Sequence, residues 1–417
     1  MWSLLFWLFL SAGFLVETGL SLGQWGWLNR LERNVPAELA PLLPEGYGWW
    51  RSVAYARERL RVSLGSLLTR YAVLAVMMGA GGLKKTACLA EAVSDAPFPA
   101  GFLLGGLLAA VFALAELPWD LYGTFGVEAR FGFNRSSVGL FLRDAVVKMA
   151  LSATLAGSLL GAASFLLTRR GGFILALSGA AAFDAAAAFA FPSLILPLFF
   201  RLRPLEDGEL KARLESLFRR AGFPASSLLV ADGSRRSTHG NAFFAGLGRT
   251  RRVILFDTLA ERFPSDEAAA VVAHEIGHWK KGHVPLALLL LFAVQSTLIL
   301  FAAFAWGRGG FAESFGLSGR PESFAVAVTF FWGALAGLFL QPVQSDASRR
   351  REFEADRYAA SLEGKEAMIG ALVRLATDSL AWTPPEPRYA AWYASHPSVA
   401  ERVLALKELE APPLNGK

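Results

Sequence analysis

The chain has 417 residues, of which 54% are hydrophobic, and its mean hydropathy is +0.39. This apolar content exceeds the roughly 45–50% of soluble globular chains and indicates a membrane protein. The formal net charge of +6 would suit nucleic acid, but the basic residues flank apolar runs, so we expect lipid headgroups as their partner and no nucleic-acid binding. The single cysteine, Cys88, excludes a disulfide framework and a thiolate metal site, so any metal must use histidine and carboxylate ligands.

Long uncharged runs predict seven transmembrane helices, because about 20 apolar residues span the roughly 30 Å hydrocarbon core of a bilayer. The first run has no basic start and no small-residue cleavage site, which favours a retained helix over a cleaved signal peptide. The runs are rich in glycine and alanine, as at Gly105 and Gly106, and such residues allow close helix packing. The seven runs cover residues 1–22, 64–83, 98–117, 144–168, 171–200, 284–306 and 324–340.

One carboxylate, Asp184, lies inside the fifth run. A charged group at that depth must face protein or water rather than lipid. Two interpretations stay open for this residue: a local structural hydrogen bond, or a place on the wall of a water-filled cavity.

Positive charge is distributed unevenly between the two sides of the predicted spans. The loops between spans one and two and between spans three and four are rich in arginine, whereas the opposite loops hold only Lys84-Lys85, Arg169-Arg170, Arg308 and Arg320. The positive-inside rule therefore places the N-terminus outside and both polar segments of the second half in the cytoplasm. The arginines of the two basic loops are Arg30, Arg33, Arg51, Arg57, Arg59, Arg61, Arg130, Arg135 and Arg143.

The polar segment after the fifth run predicts a small α+β domain. Residues 207–221 have helical charge and apolar spacing and end before Gly222. Residues 227–230 and 253–256 are short apolar runs between turn residues, which is typical of strands. We therefore predict an N-terminal transmembrane region with five spans over residues 1–200, and a second domain over residues 201–411 that includes the last two spans.

The run His274-Glu275-Ile276-Gly277-His278 predicts a metal site on a helix. Ser265 is expected to cap this helix, with Asp266 and Glu267 near its positive end. Histidines four residues apart share one helical face, so His274 and His278 can bind one zinc ion. Glu275 points away from that face and can take a proton from the zinc-bound water, whose pKa zinc lowers from about 16 toward about 7.

A catalytic zinc needs a third protein ligand and an open position for water. Glu352 and Asp356 follow the seventh run and share a helical face, whereas Glu354 points elsewhere. We predict Glu352 as the third ligand of one zinc (Zn2+) per chain, and Asp356 as a group that orients a ligating histidine or relays protons. For this segment alone, the alternative is a solvated acidic face neutralised by the arginines at 349–351.

Further segments complete a pattern that runs nearly from end to end. They are Tyr122-Gly123-Thr124-Phe125, Gly132-Phe133-Asn134, residues 204–210, 232–234, 241–244, 253–259 and 352–359, Ser395-His396-Pro397-Ser398 and Glu401-Arg402. With the zinc motif and seven spans, they resemble the type I CAAX prenyl proteases, membrane-embedded zinc endopeptidases that process prenylated proteins. The resemblance implies a mainly α fold, with a ring of seven helices around an intramembrane chamber and a cytoplasmic zincin-like α+β metalloprotease domain.

The resemblance also implies roles for residues outside the zinc motif. Asn241 would hold the substrate backbone, and His396 would stabilise the oxyanion of the tetrahedral intermediate. The chain departs from the family pattern at Gly240, where serine is usual, and at Phe131, where histidine is frequent. Neither position is a predicted ligand. We assign His239 and His283 to structure or surface and expect His283 to face away from the metal.

We therefore predict an integral, multi-pass membrane zinc metalloendopeptidase that cleaves peptides or membrane-associated proteins and serves membrane protein quality control. Its location would be the inner membrane in a bacterium or the endoplasmic reticulum membrane in a eukaryote. Two alternatives are a catalytically silent chaperone or scaffold on the same fold, and a transporter, for which the sequence lacks paired half-chain repeats. The natural substrate and the oligomeric state are left open.

Overall fold

The computed structural model describes residues 1–246, 251–307, 310, 311, 313–316 and 322–409. Arg308 and Arg320 of the predicted outer loop, and the predicted domain end at residue 411, lie outside these residues. Two π-helical segments, Tyr122–Glu128 and Phe191–Ile195, continue the helices Pro97–Leu121 and Gly172–Ala190. The α-helices are α1 (Trp2–Leu31), α2 (Trp49–Gly79), α3 (Gly82–Val93), α4 (Pro97–Leu121), α5 (Val138–Leu167), α6 (Gly172–Ala190), α7 (Leu196–Phe199), α8 (Glu209–Ala221), α9 (Asp257–Ala260), α10 (Ser265–Lys280), α11 (His283–Gly307), α12 (Glu322–Glu363), α13 (Lys365–Asp378), α14 (Pro387–Tyr393) and α15 (Val399–Lys407).

Seven helices of the described chain are long and apolar enough to cross a membrane, which confirms the predicted number. They are α1, α2, α4, α5, α6, α11 and α12. Several extend past the apolar runs that predicted them: α2 begins at Trp49, and α12 continues as one helix to Glu363. The predicted third zinc ligand therefore lies on the same rigid helix as the seventh span.

The seven helices form a closed ring in which each contacts its two neighbours, in the order α1, α2, α4, α5, α6, α11, α12 and back to α1. Only 6% of the most apolar stretch of α6 and of α11 is buried, against 56% for α12. Most of the surface of α6 and α11 is therefore exposed, whereas α12, which also contacts α4 and α5, is the most buried of the seven. A buried apolar cluster joins several of these helices, and its members include Phe6, Leu74, Leu83, Leu104, Leu160, Phe311 and Phe324.

Asp184 makes the structural hydrogen bond that was one of its two predicted interpretations. The side-chain amide of Gln295 on α11 donates to Asp184 Oδ1 over 2.9 Å. The other carboxylate oxygen, Oδ2, is buried and has no hydrogen-bond partner among the described residues. The bond links α6 to α11 within the ring, so this carboxylate faces protein rather than lipid, as expected.

The soluble domain is built on a four-stranded sheet with the order β1 (Leu202–Pro204), β2 (Ser227–Ala231), β4 (Arg252–Phe256) and β3 (Ala242–Ala245). Strands β2 and β4, which are parallel, are the two that the sequence predicted. The edge strands β1 and β3 pair antiparallel and were not predicted. Helix α8 confirms the predicted helix over residues 207–221 to within two residues.

Helix α10 occupies the centre of this domain, against α8, α12, α13 and β3. Its first turns are lined by alanines that are fully buried, including Ala269, Ala270 and Ala273. The predicted cap is wrong: Ser265 is the first helical residue, Pro264 takes the capping position, and no side-chain cap hydrogen bond forms. The arginine-rich loops contact the soluble domain directly, since the Arg135 amide donates to the Arg236 carbonyl over 3.0 Å.

In the membrane region, α4 and α5 pack backbone to backbone at glycines. A methyl group added at Gly105 would lie 2.5 Å from the carbonyl oxygen of Ala156 and 2.9 Å from the Cα of Gly157. The same addition at the neighbouring Gly106 would meet nothing closer than 3.6 Å. Backbone-to-backbone contact therefore depends on the first glycine and not on the second.

We predict that Gly105→Ala lowers the unfolding temperature of the purified protein in detergent, because the backbones of α4 and α5 must separate; overpacking of this kind costs about 1–3 kcal/mol. Gly106→Ala is the matched control, since it makes the same change in helix propensity on the same turn. Equal unfolding temperatures for the two variants would contradict the close packing of α4 on α5.

Candidate active site

The site lies where α10 crosses α12, and the sequence permits that crossing at Gly277. A methyl group there would lie 3.0 Å from the Cα of Ala355 and 3.1 Å from its carbonyl oxygen. Ala355 is itself fully buried. The absence of side-chain bulk on both helices brings the histidine face of α10 within reach of the carboxylates on α12.

Three side chains converge at this crossing, as predicted. The Nε2 atoms of His274 and His278 are 3.2 Å apart, and Glu352 Oε2 and Oε1 lie 3.3 Å from the first and the second of them. All three groups offer ligand atoms within 4.8 Å of one another. Zinc–nitrogen and zinc–oxygen bonds of about 2.0–2.1 Å in a tetrahedron set neighbouring ligand atoms about 3.3 Å apart. The residues present therefore fit a tetrahedral zinc ion with one open position.

Two further observations favour a cation at this point. Glu352 is only 4% exposed, and its Oε2 has no hydrogen-bond partner among the described residues. A buried carboxylate oxygen without a partner is costly unless a cation meets it. Burial by itself would lower the pKa of His274, but the carboxylates of Asp356 and Glu352 beside its ring raise that pKa to about 9. The surroundings of His274 thus attract positive charge.

Asp356 lies behind the predicted ligands, where it orients His274. Its Oδ1 accepts a hydrogen bond from His274 Nδ1 over 2.8 Å, which leaves the lone pair of Nε2 directed at the cluster. Arg402 on α15 donates to both oxygens of Asp356, over 2.8 Å from Nε and 2.6 Å from Nη2. Its Nη1 is also 3.7 Å from Glu352 Oε2. One buried guanidinium therefore compensates two buried carboxylates.

Glu275 lies beside the three converging side chains but outside them. It lines a cavity of about 140 Å³ together with Asn241, Glu352, His396 and Arg402. Burial raises the pKa of Glu275 above its usual range, and the nearby His274 and His278 oppose that rise. A carboxylate with a raised pKa next to a metal site is suited to accept and return a proton near neutral pH.

His396 reaches the same cavity from the loop after α14. Its Nε2 lies 3.5 Å from Glu352 Oε1, and its Nδ1 is 2.8 Å from the Ser395 hydroxyl. Helix α14, which precedes this loop, is held against α12 by an unusual bond: the Trp392 indole donates to the Leu338 carbonyl over 3.1 Å. That carbonyl is free because Pro342, four residues later in the helix, has no N–H to donate to it.

Asn241 ends the loop that leads into β3, and its side chain is exposed at the cavity. The Phe256 amide donates to the Asn241 carbonyl over 2.8 Å, so alternate residues of β3 bond to β4. The amide and carbonyl groups of Ala242 and Phe244 therefore point to the outer edge. That edge faces the cavity at Ala242 and can pair with an extended peptide.

The structure brings together every residue predicted for the site: His274, His278, Glu352, Glu275, Asp356, His396 and Asn241. His283 lies outside the three converging groups, and its buried ring contacts His278, with the two Nδ1 atoms 2.9 Å apart. His239 lies outside the cluster, where its Nε2 is 3.4 Å from Glu128 Oε2 and its ring packs on Phe133.

Sequence reasoning also gave no role to Arg402. A usable signal was present, since Glu401-Arg402 follows a helix start at Ser398, and a basic residue one turn into a helix can reach inward. The sequence alone did not indicate which residue Arg402 contacts, because Asp356 lies 46 residues away and no spacing rule applies at that separation.

A ring of seven membrane spans that carries a buried His–His–Glu group beside a glutamate of raised pKa defines a membrane-embedded metallopeptidase. The chain matches peptidase family M48 over residues 204–410 and the CAAX prenyl protease N-terminal family, described as five membrane helices, over residues 24–201. It therefore belongs to the CAAX prenyl proteases of family M48, which are zinc metallopeptidases.

Named relatives and a solved structure agree with this assignment. CAAX prenyl protease 1 of Saccharomyces cerevisiae is 35% identical over 72% of this chain and 70% of its own length. The CAAX prenyl protease 1 homologue of Oryza sativa subsp. japonica is 31% identical over 86% of this chain and 84% of its own length. The crystal structure of S. mikatae Ste24p superposes with a TM-score of 0.89 at 28% identity and covers 97% of this chain and 99% of that one. This likeness confirms the predicted mainly α fold with seven membrane helices.

We predict that Arg402→Lys reduces peptide cleavage at least tenfold, because a lysine cannot make the two-pronged contact that holds Asp356 against His274. The reverse exchange Lys407→Arg, on the exposed face of the same helix, should leave cleavage unchanged. Rates are measured with a quenched fluorescent peptide at saturating zinc. Wild-type rates in Arg402→Lys would show that Arg402 serves only the fold.

Proposed function

We propose that this protein is a zinc endopeptidase in which His274, His278 and Glu352 hold one zinc ion per chain. The observation that carries the proposal is the spacing of the ligand atoms: the Nε2 atoms of His274 and His278 are 3.2 Å apart, and each lies 3.3 Å from one oxygen of Glu352. One of these oxygens, Oε2, is buried and has no hydrogen-bond partner among the described residues. Bound zinc supplies a Lewis acid that polarises the scissile carbonyl and acidifies water. The chain's own residues then supply proton transfer, orientation and substrate binding.

Glu275 is the general base in the proposed reaction. It removes the proton from the attacking water and delivers it to the nitrogen of the departing amine. Its half-buried position, beside the two histidines but not among the ligand atoms, supports this role. The raised pKa brings the affinities of carboxylate and leaving amine for the proton closer together, which assists both transfers.

Three other residues act on the substrate or on the ligands. The outer edge of β3 pairs with the extended substrate backbone, and the exposed amide of Asn241 holds it at one end. His396 donates from Nε2 to the oxyanion that develops on the scissile carbonyl, and Ser395 at Nδ1 sets the orientation of its ring. Asp356 keeps His274 in the tautomer that offers Nε2 to the metal.

The membrane region favours the proposal that the substrates are themselves membrane-associated. The site joins the ring through α12, which is both a span and the carrier of Glu352, so a peptide can reach it from the chamber side. We propose that the protein cleaves membrane-associated or misfolded chains. We also propose two domains, a membrane region over residues 1–200 and a metallopeptidase domain over residues 201–411. The arginine-rich loops lie on the side of the soluble domain, which supports a cytoplasmic site and an outside N-terminus.

Two variants at the site test this proposal when compared side by side. Glu275→Gln should fold and keep stoichiometric zinc but lose peptide cleavage by about 10²–10⁴-fold, since it removes only the general base. Glu352→Ala should lose both zinc and cleavage. Metal content is measured by mass spectrometry on protein purified in detergent, and cleavage with a fluorescent peptide.

Asp346→Ala, an exposed carboxylate earlier on α12, is the control for removal of an acidic group from that helix. Near wild-type cleavage by Glu275→Gln would mean that another group moves the proton. Undiminished zinc in Glu352→Ala would remove this residue from the metal site.

A further inference from the structure

The ring of His283 is placed against His278 by the turn between α10 and α11. Helix α10 ends at Lys280, Gly282 has a φ of +71°, and α11 begins at His283. A left-handed backbone conformation of this kind favours glycine. The tight turn leaves His283 only 8% exposed, with its ring centroid 5.1 Å from that of His278.

The contact between the two rings is a hydrogen bond whose direction is determined by the metal. Their Nδ1 atoms are 2.9 Å apart, so one of them donates and the other accepts. His278 Nε2 is the atom that meets His274 and Glu352 at 3.2 Å and 3.3 Å. A hydrogen on Nε2 would occupy the place of the metal, so the metal-binding tautomer carries its hydrogen on Nδ1.

The direction of the first hydrogen bond also determines that of a second one, between His283 and Glu354. If His278 Nδ1–H donates, His283 accepts at Nδ1 and its own hydrogen is on Nε2. That nitrogen lies 3.4 Å from Glu354 Oε2, a carboxylate that can only accept when ionised. Glu354 therefore points away from the predicted zinc ligands, as the sequence analysis expected. It is nevertheless connected to His278 by hydrogen bonds through His283.

We propose that His283 and Glu354 form a relay that fixes the tautomer and orientation of His278, and this rests on the proposed function of His278 as a zinc ligand. The arrangement is the counterpart of Asp356 and Arg402 behind His274. The two relays differ: His274 donates directly to a buried carboxylate, whereas His278 donates to an imidazole backed by a carboxylate whose side chain is 44% exposed. His283 is a positioning residue and touches neither substrate nor metal.

The test measures zinc affinity rather than cleavage. The dissociation constant of zinc is determined for the full-length protein in detergent by competition with a chromophoric chelator at fixed pH. We expect His283→Leu to weaken zinc binding about 10–100-fold, the usual effect of losing a group behind a ligand. His283→Asn, whose amide oxygen can accept from His278, should recover most of the wild-type affinity.

Glu354→Gln is a second test, at an exposed side chain whose substitution is expected to leave folding unchanged. It should weaken zinc binding less than His283→Leu, and the double variant should be no weaker than His283→Leu alone, because Glu354 acts only through His283. Asp346→Asn, on the same helix and distant from the relay, is the matched control. The visible spectrum of the cobalt(II)-substituted protein should change in His283→Leu and return toward wild type in His283→Asn.

A merely structural role for His283 would lower the unfolding temperature of the metal-free protein and leave the zinc dissociation constant and the cobalt spectrum unchanged. That result in Glu354→Gln, which keeps the buried His283 in place, overturns the relay even where His283→Leu does not fold. The proposed function fails separately. A wild-type protein that binds no zinc would contradict both proposals, whereas tight zinc binding by the wild type and equally tight binding by His283→Leu and Glu354→Gln would contradict the relay alone.

Discussion

The close contact of α10 with α12 is the constraint on which the rest of the structure depends. It exists because Gly277 and Ala355 present almost no side chain at the crossing. One helix belongs to the soluble domain and the other is a membrane span, so the same contact assembles the metal site and fixes the domain on the ring. Each helix then contributes what the other lacks, imidazoles from α10 and carboxylates from α12.

The ionisable groups of the site can be buried together because opposite charges and hydrogen-bond partners offset the cost of removing each from water. A single buried charge would cost several kcal/mol, whereas paired and hydrogen-bonded charges persist. Arg402 meets Asp356 and Glu352, and each histidine is hydrogen-bonded at the nitrogen that does not face the cluster. The one buried oxygen without a hydrogen bond among the described residues of this cluster is Oε2 of Glu352, at the position where a metal fits.

The sequence predicted the features that depend on local spacing. Seven apolar runs, two buried strands and the pair of histidines four apart are all periodic signals, and the fold confirms them. Features that depend on turn geometry or distant contacts were missed. The left-handed turn at Gly282 places His283 against His278, a contact that no spacing rule predicts, and Arg402 meets Asp356 only after α15 has packed. Strand β3 has too few residues for alternation to show.

The central claim, a zinc ion held by two imidazoles and one carboxylate, is tested most directly by X-ray absorption spectroscopy at the zinc edge on the purified full-length protein. The account predicts nitrogen and oxygen neighbours at about 2.0–2.1 Å, with outer scattering from two imidazole rings. Scattering from three imidazoles would place His283 or His396 on the metal, and a sulfur neighbour at about 2.3 Å would place the metal at another site. Either result would contradict the account.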